Sequence, residues 1–204
     1  MNSEKTKNRV TIIGEVAERF EFSHNVFGEA FFSTKIAVER KSGIVDYIPV
    51  MVSERIVAVT QDLTGSLVKI EGHYRSFNKG TEPKRLILNV FVEEWEFHEQ
   101  NEFHKNEIVL DGFICKPPVY RKTPLGREIA DLLIAVNRPY GKSDYIPCIC
   151  WGRNAMHMSG LDVGTHLIAE GRIQSREYNK NLGDGTFETR VAYEVSISKY
   201  EVVE

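Results

Sequence analysis

The sequence lacks the features of a membrane-spanning or secreted protein. No stretch approaches the roughly 18 consecutive apolar residues that a membrane helix needs, and the first residues, MNSEKTKN, contain no apolar segment typical of a signal peptide. The three cysteines are too few, and odd in number, for a disulfide framework, which favours a reducing compartment. We therefore expect a cytoplasmic protein that does not act at a membrane.

Residue patterns that carry enzyme chemistry are also missing. The sequence has no Gly-x-x-x-x-Gly-Lys-Ser/Thr loop for nucleotide phosphates, no nucleophile elbow and no His-Glu-x-x-His zinc motif. Cys148 and Cys150 are two residues apart on one predicted strand, but no Cys-x-x-Cys or paired histidine supplies the other ligands of a zinc site. We expect core thiols here, and we expect no enzymatic activity, no metal or other cofactor and no small-molecule substrate.

The chain has no excess of positive charge. Its 26 Lys and Arg against 29 Asp and Glu give a net charge of −3, whereas nucleic-acid-binding domains are usually basic. The charges are unevenly placed: Glu93 to Asp111 contains seven acidic residues and one lysine, and Lys116 to Lys180 contains ten basic residues and six acidic ones. A local basic surface is therefore compatible with the acidic total.

An internal repeat divides the 204 residues into two modules. A shift of 98 positions, which becomes 99 further along, superimposes Asp46–Pro49 on Asp144–Pro147, Gly14 on Gly112 and Gly72 on Gly171. A period of this length predicts two whole domains rather than a solenoid, a first module of residues 1–105 and a second of residues 106–204. We interpret the acidic seam, residues 93–107, as a strand end and a solvated connection; a functional linker that repels DNA is the alternative.

Both modules show the alternation of apolar and polar residues that is typical of half-buried strands, as in Leu86–Val92 and Val191–Ile197. Gly183–Gly185 has the composition of a hairpin turn. One segment in each module has apolar residues at helical spacing, Ser53–Leu63 and Arg153–Leu161. Five strands with a helix after the third is the order of the OB-fold, a Greek-key barrel. We predict an all-β protein of two tandem OB-folds, each with a short helix between strands 3 and 4.

The second module carries a more specific pattern. The segments GREIADLLIAVNRPYGKSDYIPCICWGR (residues 126–153) and GTHLIAEGRIQSREY (residues 164–178) resemble the bacterial single-stranded DNA-binding protein family (SSB) in the order and spacing of several features. The resemblance covers nearly all of residues 106–204 and, more weakly, residues 8–98. It implies OB-folds that bind single-stranded DNA. Because some members of that family carry two OB-folds per chain and assemble as dimers, it also implies a homodimer with four OB-folds.

The end of the sequence departs from that family. Members typically finish with a long Gly-, Pro- and Gln-rich segment and an acidic, hydrophobic tip that recruits repair and replication enzymes. This sequence ends at Ser198–Glu204, directly after the last predicted strand. We therefore expect no recruitment through such a tip.

The resemblance also implies the residues that contact DNA. Four aromatic residues of the second module stand at the family's base-stacking positions: Tyr140, Tyr145, Trp151 and Tyr178. Single strands are held by such rings together with a basic groove that follows the phosphates. The basic residues near these rings in the sequence complete the predicted set: Arg138, Lys142, Arg153, Arg172, Arg176 and Lys180. Strand alternation places Trp151 on the face of Tyr145, away from the two cysteines.

The first module has lost most of these rings. Tyr47 is retained at the position of Tyr145, but the other positions are replaced, with Ser42 at Tyr140, Ser53 at Trp151 and Asn78 at Tyr178. Phe77 lies one place from the last of these, and basic residues persist at Arg40 and Arg55. We predict that Tyr47, Phe77, Arg40 and Arg55 contact DNA, and that this module contributes phosphate contacts and oligomerisation more than stacking.

The function predicted from these patterns is binding and protection of single-stranded DNA, with little sequence preference, in replication, recombination or repair. An alternative is a protein-interaction subunit of a replisome, primosome or plasmid system whose OB-folds bind DNA weakly, which the acidic total and the altered first module favour slightly. RNA binding is a third possibility, because OB-folds also occur in RNA-binding proteins.

Overall fold

The computed structural model describes residues 8–80, 85–98, 104–183 and 185–203. Twelve strands and little else make up these residues. The first module contains β1 (Asn8–Val16), β2 (Glu21–Val26), β3 (Glu29–Glu39), β4 (Val45–Ser53), β5 (Leu67–Lys79) and β6 (Arg85–Phe97). The second contains β7 (Lys105–Ile114), β8 (Val119–Lys122), β9 (Glu128–Asn137), a 3₁₀ turn (Pro139–Gly141), β10 (Ser143–Trp151), α1 (Arg153–Ser159), β11 (His166–Asn181) and β12 (Phe187–Val203).

Each module closes a five-stranded barrel. In the first module the ring runs β1, β3, β4, β6, β5 and back to β1, and in the second it runs β7, β9, β10, β12, β11 and back to β7. One contact in each ring, β4 with β6 and β10 with β12, is parallel, and the others are antiparallel. These are the strand number and closure of the OB-fold, so the predicted all-β tandem architecture is confirmed.

Short exposed strands lie outside the rings. β2 and β8 pair with β3 and β9 only, at the two edges of the combined sheet. The alternation pattern did not predict them, because all residues of both strands are exposed and neither strand has a buried face. In the described part of the chain each module therefore has six strands, five in the ring and one outside it.

Repeated glycines mark the points where the barrels close. A Cβ on Gly14 would lie 2.4 Å from the carbonyl oxygen of Ala37, and a Cβ on Gly112 would lie 2.5 Å from that of Ala135. Both contacts are far inside van der Waals distance, so β1 approaches β3, and β7 approaches β9, only because these positions have no side chain. This explains why the two glycines coincide in the repeat.

The predicted helix Ser53–Leu63 is wrong. The second-module helix forms as α1, but Ser53–Leu63 is a strand end followed by turns. The sequence explains the difference, since Ile56, Val57 and Val59 are β-branched and lose side-chain freedom in a helix, whereas α1 contains alanine and methionine, which favour it. The connections β4–β5 and β10–β11 therefore occupy the same place in the two modules, but only the second forms a helix in the described residues.

The cysteine prediction is confirmed. Cys148 and Cys150 are 3% and 0% exposed and point into the second barrel. Burial raises the pKa of the Cys150 thiol to about 12, so it stays protonated in the core. Among the described residues no cluster of His, Cys, Asp or Glu could hold a metal ion, and no described helix is long and apolar enough to cross a membrane.

The two barrels are joined through their first strands. β1 pairs antiparallel with β7, from Asn8 opposite Leu110 to Ile13 opposite Lys105, which merges both modules into one twelve-stranded sheet. The predicted seam, residues 93–107, contains the end of β6 and the start of β7, and its central residues 99–103 lie outside the described part of the chain.

Two buried aspartates also tie the modules together. Asp46 of the first module accepts a hydrogen bond from the Ser175 amide of the second at 2.7 Å. Asp144 of the second module accepts one from the Ser76 amide of the first, also at 2.7 Å. Both aspartates are fully buried, and they are partners in the repeat, so the contact is reciprocal. Equivalent aspartate–serine pairs, one from each module, therefore hold the two barrels together.

Candidate nucleic-acid interface

The outer face of β10 carries two exposed rings. Tyr145 and Trp151 are 47% and 38% exposed, while Ile146 and the two cysteines between them are buried. This confirms the predicted division of the strand into an aromatic outer face and a thiol-containing inner face. The indole Nε1 of Trp151 donates a hydrogen bond to the Ser196 hydroxyl on β12 at 3.2 Å, which fixes the ring beside the barrel.

Trp151 lines a groove of about 790 Å³ formed by the second module and by one residue of the first. We call it the Trp151 groove. Three residues predicted to bind DNA lie in it with Trp151, namely Arg40, Arg172 and Arg176. Arg40 comes from the first module and the other two from β11. An aromatic ring surrounded by guanidinium groups is the combination that holds a base and its phosphates.

Two further arginines in this groove were not among the predicted residues. Arg121 belongs to β8 and Arg127 to the turn before β9, and both line the Trp151 groove. Both belong to the excess of basic residues between Lys116 and Lys180. They precede Tyr140, the first predicted ring, by many residues, so the sequence did not show that they lie near Trp151. Arg121 is paired with Asp131 across the β8–β9 hairpin.

A second groove, of about 600 Å³, lies between the β5–β6 and β11–β12 hairpins. We call it the hairpin groove. Phe77 from the first module and Tyr178 and Lys180 from the second line it. The guanidinium of Arg176 lies 6.0 Å from the centre of the Tyr178 ring, a cation–π distance. Because Arg176 lies in one groove and Tyr178 in the other, the two grooves follow each other along β11.

The alignment of Asn78 with Tyr178 is wrong. Ser76 and Ser175 both donate their amides to the buried aspartate of the opposite module, which sets the shift between β5 and β11 at 99 positions. Lys79 therefore corresponds to Tyr178, and Phe77 corresponds to Arg176. Each strand presents one ring and one basic residue on its outer face, in opposite order.

Several predicted residues lie apart from the two grooves. Tyr140 is 99% exposed in the 3₁₀ turn with a positive φ of 63°, and Lys142 and Arg153 are exposed on either side of β10. Tyr47 lines a neighbouring cavity of about 520 Å³ with Ser175 and Glu177, and Ser175 also lines the Trp151 groove. Arg55 pairs with Glu29 at 3.3 Å.

Two of the predicted arginines are already paired with buried carboxylates. Arg40 holds Asp46 through two hydrogen bonds of 2.6 Å, and this pairing raises the pKa of the Arg40 guanidinium. Arg138 lies 3.1 Å from Asp144, which Arg75 also approaches at 3.2 Å. These side chains support the inter-module contact whether or not they also contact DNA.

The first-module counterpart of Trp151 offers no ring for stacking. Ser53 is buried and donates its hydroxyl hydrogen to Glu29. The strand pairing places Phe91 where Ser196 stands in the second module, and Phe91 packs against the buried Phe31 at 5.6 Å. Aromatic packing replaces the exposed indole, in line with the predicted loss of stacking in this module.

Comparison with known proteins agrees with this arrangement. Residues 105–203 match the profile of the Single-strand binding protein family. A single-stranded DNA-binding protein of Halalkalibacterium halodurans is 35% identical over 96 residues, which cover 44% of this chain and 57% of that protein. Single-stranded DNA-binding protein A of Bacillus subtilis is 34% identical over 96 residues, 44% of this chain and 56% of the relative. The chain thus spans little more than half the length of these relatives.

A solved structure extends the likeness to both modules. The wild-type single-stranded DNA-binding protein from Thermus aquaticus superimposes with a TM-score of 0.73 at 24% identity, over 98% of this chain and 94% of that one. At this identity the likeness establishes the fold. It supports the tandem OB architecture over the whole chain.

Proposed function

We propose that the chain binds single-stranded DNA with little sequence preference, on the premise that its second module, residues 105–203, matches the single-strand binding protein family. The Trp151 groove is the observation that carries the proposal. It combines an exposed indole with five arginines, Arg40, Arg121, Arg127, Arg172 and Arg176, in a chain whose net charge is −3.

The chemistry of the site accounts for the lack of sequence preference. Every base has a π-face, so stacking on Trp151 and Tyr178 accepts any base, at roughly 1–3 kcal/mol per stacked base. The arginines neutralise phosphates, which carry no sequence information. Binding of this kind coats exposed strands and keeps them from reannealing or being degraded in replication, recombination or repair.

The predicted residue set divides into groups within this proposal. Trp151, Tyr178 and Phe77 supply rings to the two grooves, and Arg40, Arg172, Arg176 and Lys180 supply charge. Tyr145, Tyr140, Lys142, Arg138 and Arg153 extend the surface along β10 and its flanking turns, with Tyr47 and Arg55 on the first module. We also propose a domain boundary near residue 105 and a homodimer with four OB-folds, which light scattering of the purified chain tests directly.

The proposal is tested by equilibrium binding of fluorescently labelled dT oligomers at a fixed salt concentration. Unlabelled single-stranded DNA of mixed sequence is expected to compete as well as dT, and duplex DNA of the same length is expected to compete poorly. An rU oligomer of the same length separates DNA from RNA preference. Equal competition by duplex and single strand, or no binding of dT, contradicts the proposal.

A further inference from the structure

Arg40 and Arg172 lie at the border of two grooves. Both line the Trp151 groove, and both line a neighbouring groove of about 450 Å³ that also contains Lys41 and His104. No other residue belongs to both linings. Arg40 is in the first module and Arg172 in the second, so the border is also a place where the modules meet.

The two arginines of this border differ in their partners. Arg40 is matched by Asp46, with which it forms two hydrogen bonds of 2.6 Å. Among the described residues no carboxylate lies within ion-pair distance of Arg172. Partial burial and the charge of Arg40 both lower the pKa of the Arg172 guanidinium, with Asp46 opposing them. Glu39 and Glu194 also line the two grooves, but Asp46 is the one carboxylate that pairs with either guanidinium among the described residues, and an added anion would relieve the repulsion between the two cations.

The geometry of Arg40 leaves it able to bind that anion. A guanidinium has five N–H groups, and Arg40 uses Nε and Nη2 toward Asp46. Within the described ranges, neither its Nη1 group nor the guanidinium of Arg172 donates a hydrogen bond to another residue. Arginine forks of this kind match the oxygen geometry of a phosphate.

The corresponding place on the other side of the molecule differs. Repeat symmetry puts Arg138 at the position of Arg40 and His73 at the position of Arg172, and both line a cavity with Glu93. The His73 Nε2 atom is 2.9 Å from the Glu93 carboxylate. The position of Arg172 is thus taken on that side by a histidine that has its own carboxylate, whereas Arg172 has none within ion-pair distance in the described part of the chain.

We propose that Arg40 and Arg172 form one phosphate-binding subsite at which a single strand passes from the second module to the first. The subsite deepens the proposed function and rests on it. A base stacked on Trp151 occupies the Trp151 groove, the adjoining phosphate lies between the two guanidinium groups, and the strand continues toward Lys41. The first module thus completes the site of the second rather than binding separately.

The test is a double-mutant cycle with R40Q, R172Q and the combined variant. Binding of a dT oligomer of about 32 nucleotides, long enough for two OB-folds at up to 16 each, is measured at several salt concentrations. The combined variant is expected to lower the slope of log K against log salt by about 0.7, the value of one single-strand phosphate. Each single variant is expected to lower it by no more than that, and the affinity losses are expected to be less than additive.

A matched control is R19Q, which removes an arginine paired with Asp62 on the exposed surface of the first module and is expected to keep the wild-type slope. If R40Q fails to fold, as judged by thermal unfolding, R40K replaces it; because lysine keeps the charge but lacks the fork, the affinity losses of that cycle, rather than its slope, are then compared, and additive losses overturn the shared subsite. Additive losses with a slope change of about 1.4, equal to two phosphates, or an unchanged slope in the combined variant, would overturn the shared subsite. Absence of salt-dependent binding in the unmutated chain instead overturns the proposed function.

Discussion

Among single residues, Trp151 combines an exposed ring with a fixed orientation. Its indole nitrogen is held by Ser196 at 3.2 Å, so the ring loses little freedom when a base stacks on it. Tyr47, the one aromatic retained in the first module at a stacking position, lies in a different cavity with Ser175 and Glu177. Five arginines line the groove of Trp151, whereas Lys35 is the one basic residue that lines the cavity of Tyr47 among the described residues.

This difference predicts unequal effects of truncation. Trp151→Ala is expected to weaken binding of a dT oligomer by roughly 1–3 kcal/mol, and Tyr47→Ala is expected to weaken it less, because few cations surround that ring. Both are measured by titration at one fixed salt concentration. Trp151→Phe, which keeps a ring, serves as the control. An equal loss for Tyr47→Ala contradicts the assignment of stacking to the second module.

Tyr74 predicts an effect on stability rather than binding. Its side chain is fully buried, and its hydroxyl has no hydrogen-bond partner among the described residues. Burial, with Tyr193 and Cys148 of the second module nearby, raises the pKa of Tyr74 well above its usual value. An unpaired buried hydroxyl costs about 1–3 kcal/mol, so Tyr74→Phe is expected to leave the free energy of unfolding unchanged or to raise it.

The matched control is Tyr200, whose hydroxyl lies 2.7 Å from Nδ1 of His157. Tyr200→Phe is expected to lose about 0.5–1.5 kcal/mol, the usual value of one hydrogen bond. Both variants are compared by urea denaturation. A clear loss of stability in Tyr74→Phe would mean that the hydroxyl is paired.

At the scale of elements, alternation in the sequence predicted the strands that have a buried face. It missed β2 and β8, which have none. It also predicted a helix at Ser53–Leu63, where β-branched residues form turns instead. The Asn78 alignment failed because sequence similarity is weak in β5, and the shift became clear only from the Ser76 and Ser175 contacts with the opposite module.

The glycines at barrel closure lead to a prediction for these elements. Gly112→Ala would place a Cβ 2.5 Å from the Ala135 carbonyl oxygen, so β7 and β9 must separate, and we expect a loss of about 1–3 kcal/mol, typical of overpacking. Gly160→Ala is the control, because its Cβ would meet nothing nearer than 3.5 Å. Thermal unfolding measures both, and equal midpoints for the two variants contradict the close approach.

At the scale of the whole molecule, the buried Asp46 and Asp144 each accept a hydrogen bond from the opposite module. Asp46→Ala leaves Arg40 without its carboxylate and the Ser175 amide without its acceptor. We expect a loss of about 3 kcal/mol, at the low end for a broken buried pair because Arg40 keeps some contact with water. Asp62→Ala, which breaks the exposed pair with Arg19, is expected to change the free energy of unfolding much less.

Chemical denaturation of both variants compares these losses. The Asp46 variant is also expected to weaken binding of dT oligomers, since Arg40 and Ser175 both line the Trp151 groove. Unchanged stability in Asp46→Ala would mean that the modules are held mainly by the β1–β7 pairing.

The sequence predicted the tandem architecture and the aromatic face of β10, because both follow from local patterns and from the repeat. It did not predict that Arg40 lies beside Arg172, since these residues are far apart in the chain and meet only when the modules pack. It missed Arg121 and Arg127 because they approach Trp151 only when β8, β9 and β10 pair within the second module. The rings of the site are therefore visible in the sequence, whereas the grooves around them depend on tertiary packing, within the second module for most of the Trp151 groove and between the modules for the hairpin groove.

The central claim is that the Trp151 groove binds single-stranded DNA through stacking and phosphate neutralisation. The most direct measurement uses Trp95→Phe, which leaves Trp151 as the single tryptophan, and follows its fluorescence during titration with dT oligomers at several salt concentrations. The account predicts quenching on binding and an affinity that falls steeply and linearly as log K against log salt. Fluorescence that does not change while DNA binds, or binding that does not depend on salt, would contradict it.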